Sequence, residues 1–204
     1  ASGKTLTVTG AVTGNITGTT GAKLTIGTGG SLSGTTLLNG FGETDTATTG
    51  KTYTWNGTAW QRELDPSVTV TTSDHLAKAL ASDTVATITI NGDNLSVGAV
   101  SKNFVVASGK TLTVTGAVTG NITGDTGAKL TIGTGGSVTG TDLYYAGGIE
   151  KMAASLADTY TWTDGEWVGT TAAPATGGIA GTDPANANGS QTLPTQPENE
   201  AGLA

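Results

Sequence analysis

The chain has 204 residues, no cysteine, 12% charged residues and a formal net charge of -7. This excludes disulfides, thiolate metal sites and cysteine nucleophiles, and the 9 Lys and Arg are too few and too scattered to neutralise a nucleic-acid backbone. Abundant threonine, which is β-branched, and 33 glycines, which supply turns, point to an all-β chain with a hydroxyl-rich surface.

The first predicted element is a run of short strands in residues 1–34, ASGKTLTVTGAVTGNITGTTGAKLTIGTGGSLSG. Apolar residues alternate with threonine at Leu6, Val8 and at Leu24, Ile26, the period of two that marks a half-buried strand. The two pairs lie 18 residues apart, a spacing suited to one rung of a parallel β-helix. The aromatic segment KTYTWNGTAW follows at 51–60. Asn56-Gly57 is a type I′ signal and predicts a hairpin with a two-residue loop, Tyr53 facing Trp60 and Trp55 on the same side.

Residues 64–106 have no earlier counterpart, so the first repeat reads as open at its N-terminal end. Within them a helix is expected from Ser73 to Ala81, with Ser73 as cap and Leu76 and Leu80 on its apolar face. Ile88 and Ile90 form an alternating pair 24 residues before Leu112 and read as the preceding rung. Residues 107–140 then repeat 1–34 with three substitutions, Thr19 to Asp125, Leu32 to Val138 and Ser33 to Thr139. Leu112, Val114 and Leu130, Ile132 restore the apolar pairs. A weaker helical stretch, IEKMAASLAD, spans 149–158. The second aromatic segment, DTYTWTDGEW at 158–167, predicts a hairpin around Asp164-Gly165 with Trp162 opposite Trp167 and Tyr160 beside them. From Gly169 the composition becomes poor in large apolar residues and holds four of the five prolines, as expected of an extended or disordered tail that orders on a neighbour.

These elements assemble into a right-handed parallel β-helix, or β-solenoid, with aromatic β-hairpin excursions and one short helix. A Greek-key β-sandwich is the alternative on the same strand pattern. The divisions are 1–63, a first repeat with its hairpin; 64–168, a second repeat with helix and hairpin; and 169–204, the tail. No run approaches the roughly 18 apolar residues of a membrane span. The start at Ala1, without methionine, is what a cleaved signal peptide would leave.

No catalytic, cofactor-binding or metal-binding residues are assigned. His75 is the only histidine and no GxSxG elbow accompanies it, so a solvated helix residue is expected there. Arg62 is the only arginine, and the dispersed acids do not form the calcium-ligand and base cluster of a polysaccharide lyase. The NGDN turn offers the single carboxylate of Asp93, and the GTGGS runs lack the aspartate of calcium-binding nonapeptides. No phosphate-binding glycine loop opens a helix after a strand.

The aromatic hairpins are the most specific local feature. Tyr53, Trp55, Trp60, Tyr160, Trp162 and Trp167 either staple the hairpins to the solenoid wall or serve as an interface or glycan-stacking platform. Asn-x-Ser/Thr sequons begin at Asn15, Asn56, Asn94, Asn121 and Asn188 and allow glycosylation. LPTQP at 193–197 lacks the order of a sortase signal.

Residues 73–118, SDHLAKALASDTVATITINGDNLSVGAVSKNFVVASGKTLTVTGAV, run from an LAxAL helix through a VxTIxIxG strand to a GKTLTV rung. This order resembles the repetitive β-helical surface proteins and adhesins of bacteria. The resemblance implies a secreted, surface-associated solenoid with a structural or adhesive role, and brings no catalytic residues. The expected function is a subunit of an extracellular filament or surface layer, stacking head to tail on copies of itself. The alternatives are an adhesin that binds surface glycans through its aromatic hairpins and, less favoured by the scattered acids, a polysaccharide lyase or hydrolase.

Overall fold

A computed structural model of the chain describes residues 1–152 and 158–173. The first repeat contains β1 (Thr5–Val8), β2 (Ala11–Thr13), β3 (Lys23–Ile26), β4 (Ser31–Ser33), β5 (Leu37–Leu38) and the hairpin strands β6 (Thr52–Trp55) and β7 (Trp60–Arg62). Next come β8 (Ser67–Val70), α1 (Ser73–Ala81), β9 (Thr87–Ile90), β10 (Leu95–Val97) and β11 (Asn103–Val106). The second repeat supplies β12 (Thr111–Val114), β13 (Ala117–Val118), β14 (Ile122–Gly124), β15 (Lys129–Ile132), β16 (Ser137–Val138), β17 (Leu143–Ala146), β18 (Lys151–Met152), β19 (Thr159–Thr163) and β20 (Glu166–Ala172).

The fold is a β-solenoid with three walls. One wall stacks β8, β9, β11 and β14 in parallel; the next stacks β10, β12 and β15; the third pairs β13 with β16 and extends to Val100 through a single bridge. The chain visits these walls in fixed order, so β9, β10 and Val100 form one turn, β11, β12 and β13 the next, and β14, β15 and β16 the one after. Parallel stacking puts like residues above one another: Ile88, Phe104 and Ile122 on the first wall, Leu95, Leu112 and Leu130 on the second. All are nearly or fully buried, and every fully buried side chain among the described residues is apolar. Among the described residues no buried side-chain nitrogen or oxygen is left without a hydrogen-bond partner, and the backbone ladders satisfy the main chain.

The spacing of 18 residues is the rung spacing, since Leu6 pairs with Leu24 and Val8 with Ile26, as Leu112 does with Leu130. The parallel registers set the sandwich aside. Ile88 and Ile90 do belong to the turn before that of Leu112, but they lie on a different wall, and it is Leu95 and Val97 of that turn that stack on Leu112 and Val114. Alternation alone identifies a strand without saying which wall it joins.

Several local details also differ from the sequence reading. The N-cap of α1 is Thr72, whose hydroxyl accepts from the His75 N–H at 3.2 Å, and Ser73 is the first helical residue. The first hairpin closes with a four-residue loop, because Asn56 Oδ1 accepts from the N–H groups of both Thr58 and Ala59 and Trp55 pairs with Trp60. Tyr53 consequently faces Arg62 instead of Trp60. This two-residue slip keeps every side chain on its predicted face. The second hairpin has the predicted two-residue loop, with Asp164 at φ 52 and Gly165 at φ 92. In the stretch expected to be a second helix, Lys151 and Met152 pair with β17 as a strand, and 153–157 lie outside the described residues. Strand β20 continues past Gly169 to Ala172, with its end opposite Ala146, and the remaining tail from 174 lies outside the described residues.

Helix α1 packs against β8 and β10, burying Leu76 and Ala79 in the same apolar cluster as the rungs of the second repeat. Phe41 and Leu64 of the preceding segment pack against that cluster too. His75 is not a solvated residue. Its ring stacks on Phe41 at 4.3 Å, and Nε2 lies 3.1 Å from Glu43 Oε1, so it fastens the Asn39–Glu43 turn of the first repeat to α1.

Candidate functional site

Both aromatic hairpins extend a solenoid wall: β6 pairs antiparallel with β3 and β19 with β15. Tyr53 therefore stands opposite Leu24 and Tyr160 opposite Leu130, continuing the interior apolar ladder. Threonine ladders run outside it, with Thr25 and Thr52 hydroxyls 2.9 Å apart and Thr131 and Thr159 hydroxyls 3.1 Å apart. The inner tryptophans reach across the turn. Trp60 Nε1 donates to the Ile16 carbonyl at 2.8 Å and Trp167 Nε1 to the Ile122 carbonyl at 2.7 Å. Their partners Trp55 and Trp162 meet them edge to face at 5.3 and 5.0 Å.

Of the six aromatic candidates, Tyr53, Trp60, Tyr160 and Trp167 are buried and hold the hairpins in place, although an edge of Trp60 and of Trp167 borders a cleft. Trp55 and Trp162 keep part of their rings in solvent. Trp162 borders a cleft of about 440 Å³ together with Tyr144, Asp142, Glu166, Asn121 and Thr139. A wider cleft, about 550 Å³, lies where the first hairpin meets α1 and is lined by Gln61, Arg62, Lys78 and Asp83 among others.

A polar network missed by the sequence reading fastens the first hairpin. Arg62 Nε donates to Asp45 Oδ2 at 2.7 Å and Nη1 to Asp65 Oδ2 at 3.0 Å, Lys51 bonds Asp65 at 2.6 Å, and the Tyr53 hydroxyl donates to Asp45 at 3.1 Å. Burial by itself would raise the pKa of Asp45, but hydrogen bonds from Arg62, the Thr46 N–H and Tyr53, with the charge of Arg62, hold it below the ordinary 3.8. The Lys51 bond, working against burial and helped by Arg62, lowers Asp65 as well. Burial, reinforced by Asp45, pushes the Tyr53 phenol up to about 12.

Depressed carboxylate values contribute stability that is complete above 3.8 and disappears as pH falls through the folded-state values. The raised phenol contributes stability that is complete below 10 and is lost as pH rises toward about 12. Thermal melts should therefore show the chain losing stability below about pH 4, and Asp45→Asn should be less stable at neutral pH yet flatter across that acid range. Parallel acid limbs for the two proteins would remove Asp45 from the account.

The second feature is the end formed by β1 and β2, both edge strands. Leu6 is 49% exposed while its counterpart Leu112 is 0% exposed. Val12 and Ile16 are half-buried, whereas Val118 and Ile122 are buried. The difference is the covering rung: Leu95 lies on Leu112, Val100 on Val118 and Phe104 on Ile122. Where such a rung would sit on the first repeat there is a cleft of about 220 Å³ lined by Leu6, Ile16, Ala22, Lys4 and Trp60 among others.

Of the sequons, Asn15, Asn56, Asn94 and Asn121 are exposed and Asn188 lies outside the described residues. The Asn56 side chain is engaged in its own turn and donates to Gln61 Oε1 at 3.1 Å. Among the described residues no three His, Asp or Glu side chains gather in a metal-binding group, and no helix is long and apolar enough to cross a membrane. Comparisons with protein-family models, curated proteins and solved structures find no match, so the functional reading rests on the geometry of the solenoid end and the hairpins.

Proposed function

We propose that this chain is a structural subunit of a secreted extracellular filament or surface layer, assembled by head-to-tail stacking of solenoid ends on copies of itself. The observation that carries this reading is the stacking itself: like rungs add in parallel, with Leu95, Leu112 and Leu130 one above the other, a contact that a rung of another copy can repeat. A contact between unlike ends propagates instead of closing. The turn joining β17 and β18 also exposes Ile149 at 89%, an apolar point on the surface of the solenoid. Negative-stain electron microscopy over a concentration series should show regular filaments or sheets. Monomers at every concentration, with sedimentation agreeing, would end this reading.

The second reading, a surface adhesin, is favoured by the cleft beside Trp162, where a partly exposed indole stands near the carboxylates of Asp142 and Glu166 and the amide of Asn121. An aromatic face flanked by hydrogen-bonding groups is the chemistry that holds a sugar ring.

A further inference from the structure

We propose that the cleft beside Trp162 selects a cationic glycan, a polysaccharide whose amino sugars are free and protonated. This rests on the adhesin reading of that cleft and names the class of ligand it takes. The two repeats build the same frame around this place. In each, a buried tryptophan donates to an isoleucine carbonyl, Trp60 to Ile16 and Trp167 to Ile122. The isoleucine N–H in turn donates to a threonine hydroxyl, Thr35 at 3.0 Å in the first repeat and Thr141 at 2.8 Å in the second. The rims differ. Asp142, Tyr144 and Glu166 line the cleft of about 440 Å³ in the second repeat, and the positions that match them in the first are Thr36, Leu38 and Ala59. The first repeat builds this frame without an acidic rim, so packing does not call for the two carboxylates and the phenol; they belong to the surface of the cleft.

Register brings the carboxylates together. Leu143 stands opposite Trp167 on parallel strands and both are buried, so Asp142 and Glu166, one residue earlier on each segment, turn to the outer face side by side. Tyr144 and Lys151, opposite each other on β17 and β18, share that face. None of the described residues that line the cleft is basic. The partly exposed indole of Trp162 adds a ring face that attracts cations and stacks on the C–H face of a sugar. Asn121, on the same cleft, offers an amide to sugar hydroxyls. The chain itself already brings one ammonium to this rim. Lys151 Nζ lies 2.7 Å from Asp142 Oδ2, in a pair whose side chains are 63% and 62% exposed. The hydrogen bond to Asp142 and then its charge raise the Lys151 pKa above the ordinary 10.5, desolvation opposes them, and the charges of Tyr144 and Glu166 add to the rise. An exposed ion pair of this kind is weak, so a ligand ammonium whose sugar also stacks on the indole can displace Lys151 from Asp142.

The test follows the tryptophan indole N–H signals of the intact chain by NMR during titration with the tetrasaccharide of glucosamine at about pH 6, where carboxylates are ionised. The Trp162 signal should move, and the Trp55 signal, on the rim without carboxylates, should stay. The fully N-acetylated tetrasaccharide, which has the same rings without the charge, should bind about tenfold more weakly or less, and Asp142→Asn should weaken binding of the free-amine form to a similar degree. Lys151→Ala removes the competing ammonium and should tighten binding by about threefold, a gain that a damaged fold does not produce. Equal affinity for the two tetrasaccharides would overturn the proposal while leaving a glycan-binding adhesin standing, and no shift with either at about 10 mM would remove both. Unchanged or weaker binding by Lys151→Ala would overturn it as well, because the ligand would then not take the place of the lysine. Tetralysine binding as tightly as the glucosamine tetrasaccharide would also overturn it, since the rim would then read an ammonium without its sugar.

Discussion

Replacing Trp167 by alanine is expected to destabilise the chain by about 3–5 kcal/mol, the range for removing a large buried aromatic side chain. Trp167 is 0% exposed, meets Trp162 edge to face and donates to the Ile122 carbonyl in a buried bond. The substitution leaves a cavity beneath the second hairpin and strips that carbonyl of one donor. Trp60→Ala should cost less, about 2 to 3 kcal/mol. Its ring borders the cleft at the open end, so water already reaches part of the space that would be vacated. Trp162→Ala, which removes a ring that is only partly buried, should cost about 1 kcal/mol. Urea unfolding of the three variants checks the order; equal losses for Trp167 and Trp162 would show that the indole burial described here does not govern stability.

The second large effect concerns a matched pair of glycines. Gly116→Ala should destabilise by about 3 kcal/mol, the upper end for forced overpacking, while Gly10→Ala should stay within about 0.5 kcal/mol. The added methyl at 116 would sit 2.4 Å from the Ala99 nitrogen and 2.6 Å from the Gly98 carbonyl carbon, both backbone atoms of the adjacent rung that cannot rotate away. At 10 the same methyl meets open space. The damage at 116 should be local as well as global, with faster amide exchange at Val118 and Thr119, whose wall position must separate from Val100. Comparable melting temperatures for the two variants would mean that the rungs stack more loosely than these distances imply.

The polar network around Arg62 shows what a sequence reading passes over. Asp45, Asp65, Lys51 and Arg62 are spread across the first repeat with no spacing that marks them as a group. They meet because the β6–β7 hairpin folds Arg62 back toward the 44–46 segment, where Tyr53 also ends. The aromatic segments were legible, since alternation and turn residues are local signals, but the depth of each ring was not. Tyr53 and Trp55 are two residues apart on one face; the first is buried over Leu24, and the second lies nearer the rim and keeps solvent contact.

The sequence by itself determined the repeat, the 18-residue rung, the inward face of each strand and the position of the hairpins. These follow from features a chain carries locally: period-two alternation, glycine corners and an Asp-Gly turn. Only the tertiary structure decided which of two identical segments becomes a strand. Residues 14–18 and 120–124 both read GNITG, yet Ile122–Gly124 forms β14 while the first copy has no strand there and Gly14 takes φ 118. The reason is that a β-strand is a property of a pair. In the second copy β11 lies alongside, its backbone bonding Thr123 and Asp125 and its Phe104 covering Ile122, whereas among the described residues no strand pairs with the first copy on that side.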